Sequence, residues 1–134
     1  RILDLFAGSG QLGIEAISRG ARHCTFVESN KNAYKIVQSN IERCRIEDCT
    51  RLVLSDAIGF LMRKDNFDIA FIDPPYHKGK IDECLPKLTE LMSNDGVIVC
   101  ESAKDEELPQ EVNGWSISRE KTYGKTKLSY YRRG

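Results

Sequence analysis

Apolar residues along this chain alternate between short continuous runs and longer stretches with helical spacing. Continuous runs of the kind that form buried strands occur at residues 1–7, 23–27, 51–54, 67–72 and 97–100. Between them, apolar residues recur every three or four positions over residues 11–19, 30–44, 58–62 and 81–92, which predicts amphipathic helices. Strands that alternate with helices predict a parallel sheet covered on both faces, and right-handed crossovers make that sheet doubly wound.

The last part of the chain has a different pattern. Residues 115–122 and 125–131 are strand-like runs that meet at Tyr123-Gly124, a pair typical of a hairpin turn. In the helix before the fifth strand, Pro86 is expected in the first turn, where a missing N–H costs least. The predicted fold class is therefore α/β, with a doubly wound, mostly parallel seven-stranded sheet and an antiparallel C-terminal hairpin.

A glycine-rich loop follows the first strand. Gly8, Gly10 and Gly13 match the pattern GxGxxG between a strand and a helix. Glycines at these positions let the backbone approach a ligand closely and direct amide N–H groups towards it. Dinucleotide sites and S-adenosylmethionine sites share this pattern, and the glycines can also serve only turn geometry and packing, so the loop alone does not identify a ligand.

Acidic residues lie at the ends of the next two strands. Glu28 ends the second strand, 18 residues beyond Gly10, where a carboxylate can accept hydrogen bonds from both ribose hydroxyls. Asp56 follows the third strand and can accept from an adenine amino group, while Asp4 lies within the first strand. Glu28 as a loop carboxylate and Asp56 as a helix N-cap are the alternatives. Parallel strands bring their carboxyl ends to one edge of a sheet, which favours a shared site.

Asp73-Pro74-Pro75-Tyr76 closes the fourth strand and indicates the chemistry. The prolines cannot continue a sheet, so they form a stiff turn at the ligand-binding edge. The Asp73 carboxylate and a nearby backbone carbonyl can both accept from one –NH2 group, which orients the amine lone pair towards an electrophilic methyl. Tyr76 offers a flat face to a base, which must be unstacked to reach it. The motif predicts methylation of a base amino group; a mere proline-rich turn is the alternative.

Four segments together resemble a known family over nearly the whole chain. DLFAGSGQLGIEAISRGA, FVE, FIDPPY and YGKTKLSYY are similar to the bacterial 16S ribosomal RNA guanine-N2 methyltransferase family (RsmD type). The resemblance implies a class I methyltransferase fold, S-adenosylmethionine as methyl donor, and a guanine of small-subunit rRNA as acceptor. It implies that Gly8, Ser9 and Gly10 line the methionine end, that Glu28 holds the ribose, and that Asp56 with Ala57 holds the adenine. The expected cofactor-binding residues are Asp4, Ala7, Gly8, Ser9, Gly10, Glu28, Ser29, Asp56 and Ala57, and the expected catalytic residues are Asp73, Pro74, Pro75 and Tyr76.

The charge balance qualifies the expected RNA partner. Twenty basic and twenty acidic residues give a net charge of zero, whereas nucleic-acid binders usually have a positive excess. Residues 82–111 include nine acidic and two basic residues, but residues 115–134 include six basic and one acidic, so a basic face remains possible. Family members also share a basic stretch before the first strand, which here begins at residue 1. Residues 1–134 are thus expected to be a single catalytic domain that lacks an upstream RNA-binding segment.

The sequence also carries expectations about partners, location and rival functions. We expect a cytoplasmic monomer that binds 16S rRNA or the small ribosomal subunit, with no metal, no membrane contact and five reduced cysteines, none of them in a CxxC pair. Residues 77–79 form either a mobile loop over the base or solvated surface. The rivals are a DNA adenine-N6 or other amino-methyltransferase, an NAD-dependent oxidoreductase, and a non-catalytic S-adenosylmethionine-binding module.

Overall fold

The computed structural model describes residues 1–134 and contains one eight-stranded sheet with helices on both faces. The elements in chain order are β1 (Ile2–Leu5), α1 (Gln11–Ser18), β2 (Cys24–Glu28), α2 (Lys31–Cys44), β3 (Thr50–Leu54), α3 (Ala57–Leu61), β4 (Phe67–Ile72), α4 (Lys80–Leu88), β5 (Met92–Ala103), β6 (Glu111–Val112), β7 (Trp115–Tyr123) and β8 (Thr126–Arg133). Short 3-10 turns at Glu47–Cys49 and Thr89–Leu91 lead into β3 and β5.

The order of the strands across the sheet is β3-β2-β1-β4-β5-β8-β7-β6. Strands β1 to β5 pair in parallel, whereas β8 is antiparallel to β5 and to β7. The predicted doubly wound sheet and C-terminal hairpin are therefore confirmed. The additional strand is β6, whose two residues pair with the start of β7 and are too few to produce a recognisable hydrophobic pattern.

The sheet separates two hydrophobic clusters. The larger packs beneath α3 and α4 and includes Leu3, Leu5 and Phe60, and the smaller packs beneath α1 and α2 and includes Ile2 and Phe26. Because successive strand residues point to opposite faces, alternate residues of β1 enter different clusters. Most of the buried side chains are apolar, and burial of such surface is the main driving force for folding. No helix is long and apolar enough to cross a membrane.

The prediction for Pro86 is wrong, because helix α4 begins at Lys80 and Pro86 lies near its other end. A proline there removes one intrahelical hydrogen bond to the carbonyl of the residue four positions earlier. The helix nevertheless buries Ile81, Leu85 and Leu88, so packing on both sides of the proline outweighs the lost bond. The Pro86 carbonyl accepts a hydrogen bond from Thr89 Oγ1 at 2.8 Å, where the helix tightens into the 3-10 turn.

Helix α1 can approach β2 closely only because residue 13 is glycine. A Cβ atom at Gly13 would lie 2.6 Å from Cys24 Sγ and closer still to the ring of Phe26.

We expect Gly13→Ala to lower the free energy of unfolding by about 1–3 kcal/mol, because an overpacked core must shift. Urea denaturation measures this change. The exposed Gln11→Ala on the same helix is the control and should change stability by less than about 0.5 kcal/mol. Equal stabilities of the two variants would contradict this packing role.

Candidate active site

A cavity of about 820 Å³ opens at the carboxyl ends of β1 to β4 and contains residues from every one of these strand ends. Its volume lies in the usual range of small-molecule sites, roughly 300–1,000 Å³. Of the residues predicted from the sequence, the cavity is lined by Gly8, Glu28, Ser29, Asp56, Ala57, Asp73, Pro74 and Pro75. Asp4, Ala7, Ser9, Gly10 and Tyr76 do not line it. The wall of the cavity is completed by residues that no sequence motif indicates: Phe6, Val27, Asn30, Ser55, Ile58, Lys80, Glu83 and Cys84.

The glycine-rich loop has a backbone that ordinary side chains rarely permit. Gly8 and Gly10 have φ angles of 61° and 81°, and Phe6 also lies in the left-handed region at 71°. A Cβ on Gly8 would meet nothing within 4 Å, so this glycine leaves open space beside the loop. Gly10 is the N-cap residue of α1 and donates a backbone hydrogen bond to Ala7 O at 2.8 Å. The loop therefore exposes backbone to the cavity at Gly8 and closes tightly at Gly10.

Glu28 connects the glycine-rich loop to the turn after β2. One carboxylate oxygen accepts the backbone N–H of Gly8 at 2.8 Å, and the other accepts that of Asn30, also at 2.8 Å. A carboxylate has about four acceptor positions, so two remain for a ligand. The carboxylate thus has a structural role in the protein itself and still presents acceptor capacity to the cavity.

Asp4 is buried beneath the same loop. Its Oδ2 accepts the backbone N–H of Gly13 at 3.1 Å, while its Oδ1 is buried without a hydrogen-bond partner. The pKa of Asp4 is raised to about 7, mainly by burial and in addition by the charges of Asp73 and Glu28, whereas the hydrogen bond from Gly13 opposes the shift. Asp4 therefore supports the loop from below with one unsatisfied oxygen.

Ala7 and Ser9 shape the loop through their backbones. The buried Ala7 donates its N–H to Val27 O at 2.9 Å, which extends the pairing of β1 with β2 beyond the strand. The Ser9 carbonyl accepts from Asn40 Nδ2 at 2.9 Å, which connects the loop to α2. These two residues hold the loop against neighbouring elements.

Asp56 caps helix α3. Its Oδ1 accepts the backbone N–H of Gly59 at 2.6 Å, so the N-cap alternative from the sequence analysis is what the structure contains. The residue is exposed and lines the cavity next to Ala57, the first residue of the helix. Since only Oδ1 is engaged by the cap, Oδ2 remains free to accept from a ligand.

Glu101 lies beside Asp73 and was not identified from the sequence. Ile72 of β4 pairs with Cys100 of β5, so the residues that follow them are neighbours at the sheet edge. Burial raises the pKa of Asp73 to about 7, together with hydrogen bonding to Glu101 and repulsion between the two carboxyl groups. The available signal was positional: Glu101 follows the apolar run of the fifth strand as Asp73 follows that of the fourth.

Tyr76 lies outside the cavity and contacts the C-terminal strands. Its hydroxyl donates to Glu101 Oε2 at 3.4 Å and lies 3.2 Å from Thr126 Oγ1 at the start of β8. His77 follows with a φ of 59°; its backbone N–H donates to Glu106 Oε1 at 3.0 Å and its Nε2 lies 2.9 Å from Asp105 Oδ1. Asp105 raises the pKa of His77 through this hydrogen bond. The loop after Pro75 is therefore attached to the segment between β5 and β6.

The fold and this edge of the sheet together define a class of enzyme. The parallel strands in the order β3-β2-β1-β4-β5, the antiparallel strand after β5, the glycine-rich loop and Asp73-Pro74-Pro75-Tyr76 are the features of class I S-adenosylmethionine-dependent methyltransferases. The donor in this class is S-adenosylmethionine. Open space beside Gly8, free acceptor positions on Glu28 and the unsatisfied buried Oδ1 of Asp4 are compatible with a ligand that carries several N–H and O–H donors.

Comparisons with known proteins place the chain within this class. The family described as "Conserved hypothetical protein 95" matches residues 1–132. YlbH of Bacillus subtilis is 38% identical over 139 residues, covering 99% of this chain and 76% of that protein. "Ribosomal RNA small subunit methyltransferase D" of Escherichia coli is 34% identical over 134 residues, covering 98% of this chain and 67% of that protein. The chain belongs to this family, the RsmD-type methyltransferases.

A solved structure supports the same assignment. A conserved hypothetical protein of Streptococcus pyogenes superposes with a TM-score of 0.94 at 39% sequence identity. The match covers 100% of this chain and 86% of that one. The arrangement of strands and helices described above is therefore shared nearly throughout by a protein of similar sequence.

The carboxyl pair of Asp73 and Glu101 predicts how stability depends on pH. A carboxyl group with a raised pKa in the folded state keeps its proton up to about pH 7, whereas the unfolded chain releases it near pH 4. Between these values the folded state binds more protons, so the free energy of unfolding falls as the pH rises. We expect Asp73→Asn to remove part of this decrease in the free energy of unfolding. Glu101→Gln should shift the decrease to lower pH, because the pKa of Asp73 drops when the neighbouring carboxyl group is removed.

Urea denaturation from pH 4 to pH 8 measures both effects. The exposed Asp48→Asn is the control for loss of one negative charge and should leave the slope as in the parent. A parent-like pH dependence in Asp73→Asn would show that Asp73 does not hold its proton in the folded protein.

Proposed function

We propose that this chain transfers the methyl group of S-adenosylmethionine to the exocyclic N2 amine of a guanine in 16S ribosomal RNA. The observation that carries the proposal is that Asp73 and Pro74 share one cavity with Gly8 and Glu28, so an amine site adjoins a donor site. The name of the Escherichia coli relative, "Ribosomal RNA small subunit methyltransferase D", supports the RNA acceptor. The proposal includes residues 1–134 as a single catalytic domain that acts as a cytoplasmic monomer.

The donor site uses groups that the fold holds in place before any ligand binds. The free acceptor positions of Glu28 bind the ribose hydroxyls, with Ser29 alongside, and Asp56 Oδ2 with Ala57 binds the adenine. The backbone of Gly8 borders the methionine end, and Asp4 supports the loop from beneath by accepting the Gly13 N–H. The bound donor supplies an electrophilic methyl on a sulfonium. Ala7, Ser9 and Gly10 contribute by fixing the shape of the loop.

The acceptor site positions the amine. The Asp73 carboxylate and the Pro74 carbonyl accept its two N–H groups, which directs the nitrogen lone pair into the cavity. As the new N–C bond forms, the bond between the methyl carbon and the sulfonium sulfur breaks and its electron pair stays on sulfur, which leaves S-adenosylhomocysteine. The nitrogen becomes cationic in this step and then releases one proton. The Asp73–Glu101 pair can take this proton, because the pKa of Asp73 lies near 7. Catalysis is otherwise mostly orientation of the two reactants.

An activity assay tests the proposal directly. The protein is incubated with radiolabelled S-adenosylmethionine and with 16S rRNA or small subunits that lack the modification, and with duplex DNA in parallel. Nucleoside analysis of the product should find N2-methylguanosine in the RNA only. Label in DNA adenine, or no label in any nucleic acid, would overturn the proposed function.

Glu28 is expected to govern donor affinity. Glu28→Ala should weaken S-adenosylhomocysteine binding by about 1.5–3 kcal/mol, because charge-assisted hydrogen bonds are lost. Calorimetric titration measures the effect, and the exposed Glu42→Ala on α2 is the control for an equal change of charge. Parent-like affinity in Glu28→Ala would leave this carboxylate with only its structural role.

Asp73 is expected to govern transfer and not donor binding. Asp73→Ala should lower the rate of methyl transfer by about 10²–10⁴-fold, the usual contribution of a positioned proton acceptor. Its affinity for S-adenosylhomocysteine should stay close to that of the parent and of the exposed control Asp95→Ala. Loss of donor binding in a folded Asp73→Ala protein would contradict this division between donor and acceptor residues.

A further inference from the structure

One face of the hairpin formed by β7 and β8 lies next to the Asp73-Pro74-Pro75-Tyr76 motif of the acceptor site. In the ladder, Arg119 pairs with Tyr130, Lys121 with Leu128, and Tyr123 with Thr126. Directly paired residues of antiparallel strands project from the same face, and every second residue along a strand shares it. We call this surface the hairpin face; its members are Arg119, Lys121, Tyr123, Thr126, Leu128, Tyr130 and Arg132.

The hairpin face is continuous with the acceptor site. Strand β8 also pairs with β5, where Leu128 lies opposite Glu101. The Tyr76 hydroxyl contacts both Glu101 Oε2 and Thr126 Oγ1, at 3.4 and 3.2 Å. When the target base of a polymer lies at Asp73, the adjoining part of that polymer therefore contacts the hairpin face.

The cations of this face are free, whereas Lys127 and Arg133 of the same hairpin bond to other segments. The side chains of Arg119, Lys121 and Arg132 make no hydrogen bond or ion pair within the protein, and both arginines are exposed. In contrast, Lys127 donates to the Glu106 carbonyl and lies 3.8 Å from Glu120 on the opposite face, and Arg133 donates to Asn94. The net charge of zero therefore conceals a local positive surface.

Two tyrosines stand among these cations. Tyr123 is 57% exposed, which is unusual for a large aromatic side chain with no role in the core, and Tyr130 is partly exposed. Unpaired cations alternating with accessible aromatic rings suit a polymer with phosphates and unstacked bases. A protein partner would instead require a larger apolar centre, and this face offers only Leu128.

We propose that the hairpin face binds the single-stranded RNA that flanks the target base. This inference rests on the proposed function. The three cations contact phosphates, which provide most of the affinity for nucleic acid. The tyrosines stack on neighbouring bases and help to hold the target nucleotide out of its stack, which costs a few kcal/mol. The face thereby extends the acceptor site along the RNA.

A charge-removal experiment tests the phosphate contacts. The variant R119Q/K121Q/R132Q is compared with R22Q/R43Q/K64Q, which has the same change of charge at exposed positions near the opposite edge, where β2, β3 and β4 begin. Filter binding of unmodified 16S rRNA is measured against salt. The slope of log K against log salt should decrease in magnitude by roughly 2 in the hairpin-face variant, about 0.7 for each lost contact to single-stranded RNA. The control should keep the parent slope.

Substitution of Tyr123 tests stacking independently of charge. Tyr123→Leu should weaken RNA binding by about 5- to 150-fold, the range for loss of one stacked base, while Tyr123→Phe should bind as the parent does. All variants should bind S-adenosylhomocysteine with parent affinity, which shows that they are folded.

The outcomes separate this inference from the proposed function. If the parent methylates rRNA but both triple variants keep its salt slope, the hairpin face does not bind RNA and the inference fails alone. If the face variant loses binding to a purified ribosomal protein and not to rRNA, the inference is also wrong. If the parent neither binds nor methylates rRNA, the proposed function fails and the inference with it.

Discussion

The site depends on the reversal of strand order at β1. This strand pairs with β2 on one side and with β4 on the other, so Leu5 lies between Val27 and Ile72. The chain turns away after each of these strands, and the three turns must diverge because α1 and α2 cover one face while α3 and α4 cover the other. The space between them is the cavity, and it unites residues that are far apart in sequence.

Within that space the fold concentrates negative charge. Asp4, Glu28, Asp73 and Glu101 lie at one edge of the sheet, and burial together with their mutual repulsion raises the pKa values of Asp4 and Asp73. Backbone N–H groups hold Glu28 in place, and the Tyr76 hydroxyl donates to Glu101. Such a site favours ligands with positive charge and many N–H or O–H donors, because binding relieves the repulsion. A sulfonium donor and an amine acceptor both meet this requirement.

Local patterns in the sequence predicted most of the fold. Apolar runs reveal β1 to β5, and Tyr123-Gly124 reveals the hairpin, because each depends on neighbouring residues only. Glu101 could not be found in this way, since its position beside Asp73 depends on the register between β4 and β5, which are separated by a helix. The position of Pro86 within α4 could not be predicted, because burial of the helix, a tertiary effect, overrides the preference of proline for a first turn.

The same distinction applies to the candidate site. Motif spacing predicted the residues at the strand ends, but it did not reveal that Glu28 and Asp56 also bond to the backbone or that Tyr76 lies against β8. Similarly, composition gave a net charge of zero, and only the strand register shows that three free cations share one face. These features arise from side-chain geometry and from pairing between distant segments.

A crystal structure with S-adenosylhomocysteine tests the central claim, that one cavity joins a donor site to an amine site. The account predicts that Glu28 accepts hydrogen bonds from the ribose hydroxyls while retaining those from Gly8 and Asn30. It also predicts that the ligand sulfur lies next to the loop of Asp73 and Pro74, where an amine held by that loop is within reach. A ligand that makes no contact with Glu28, or whose sulfur is separated from Asp73 by the body of the protein, would contradict the account.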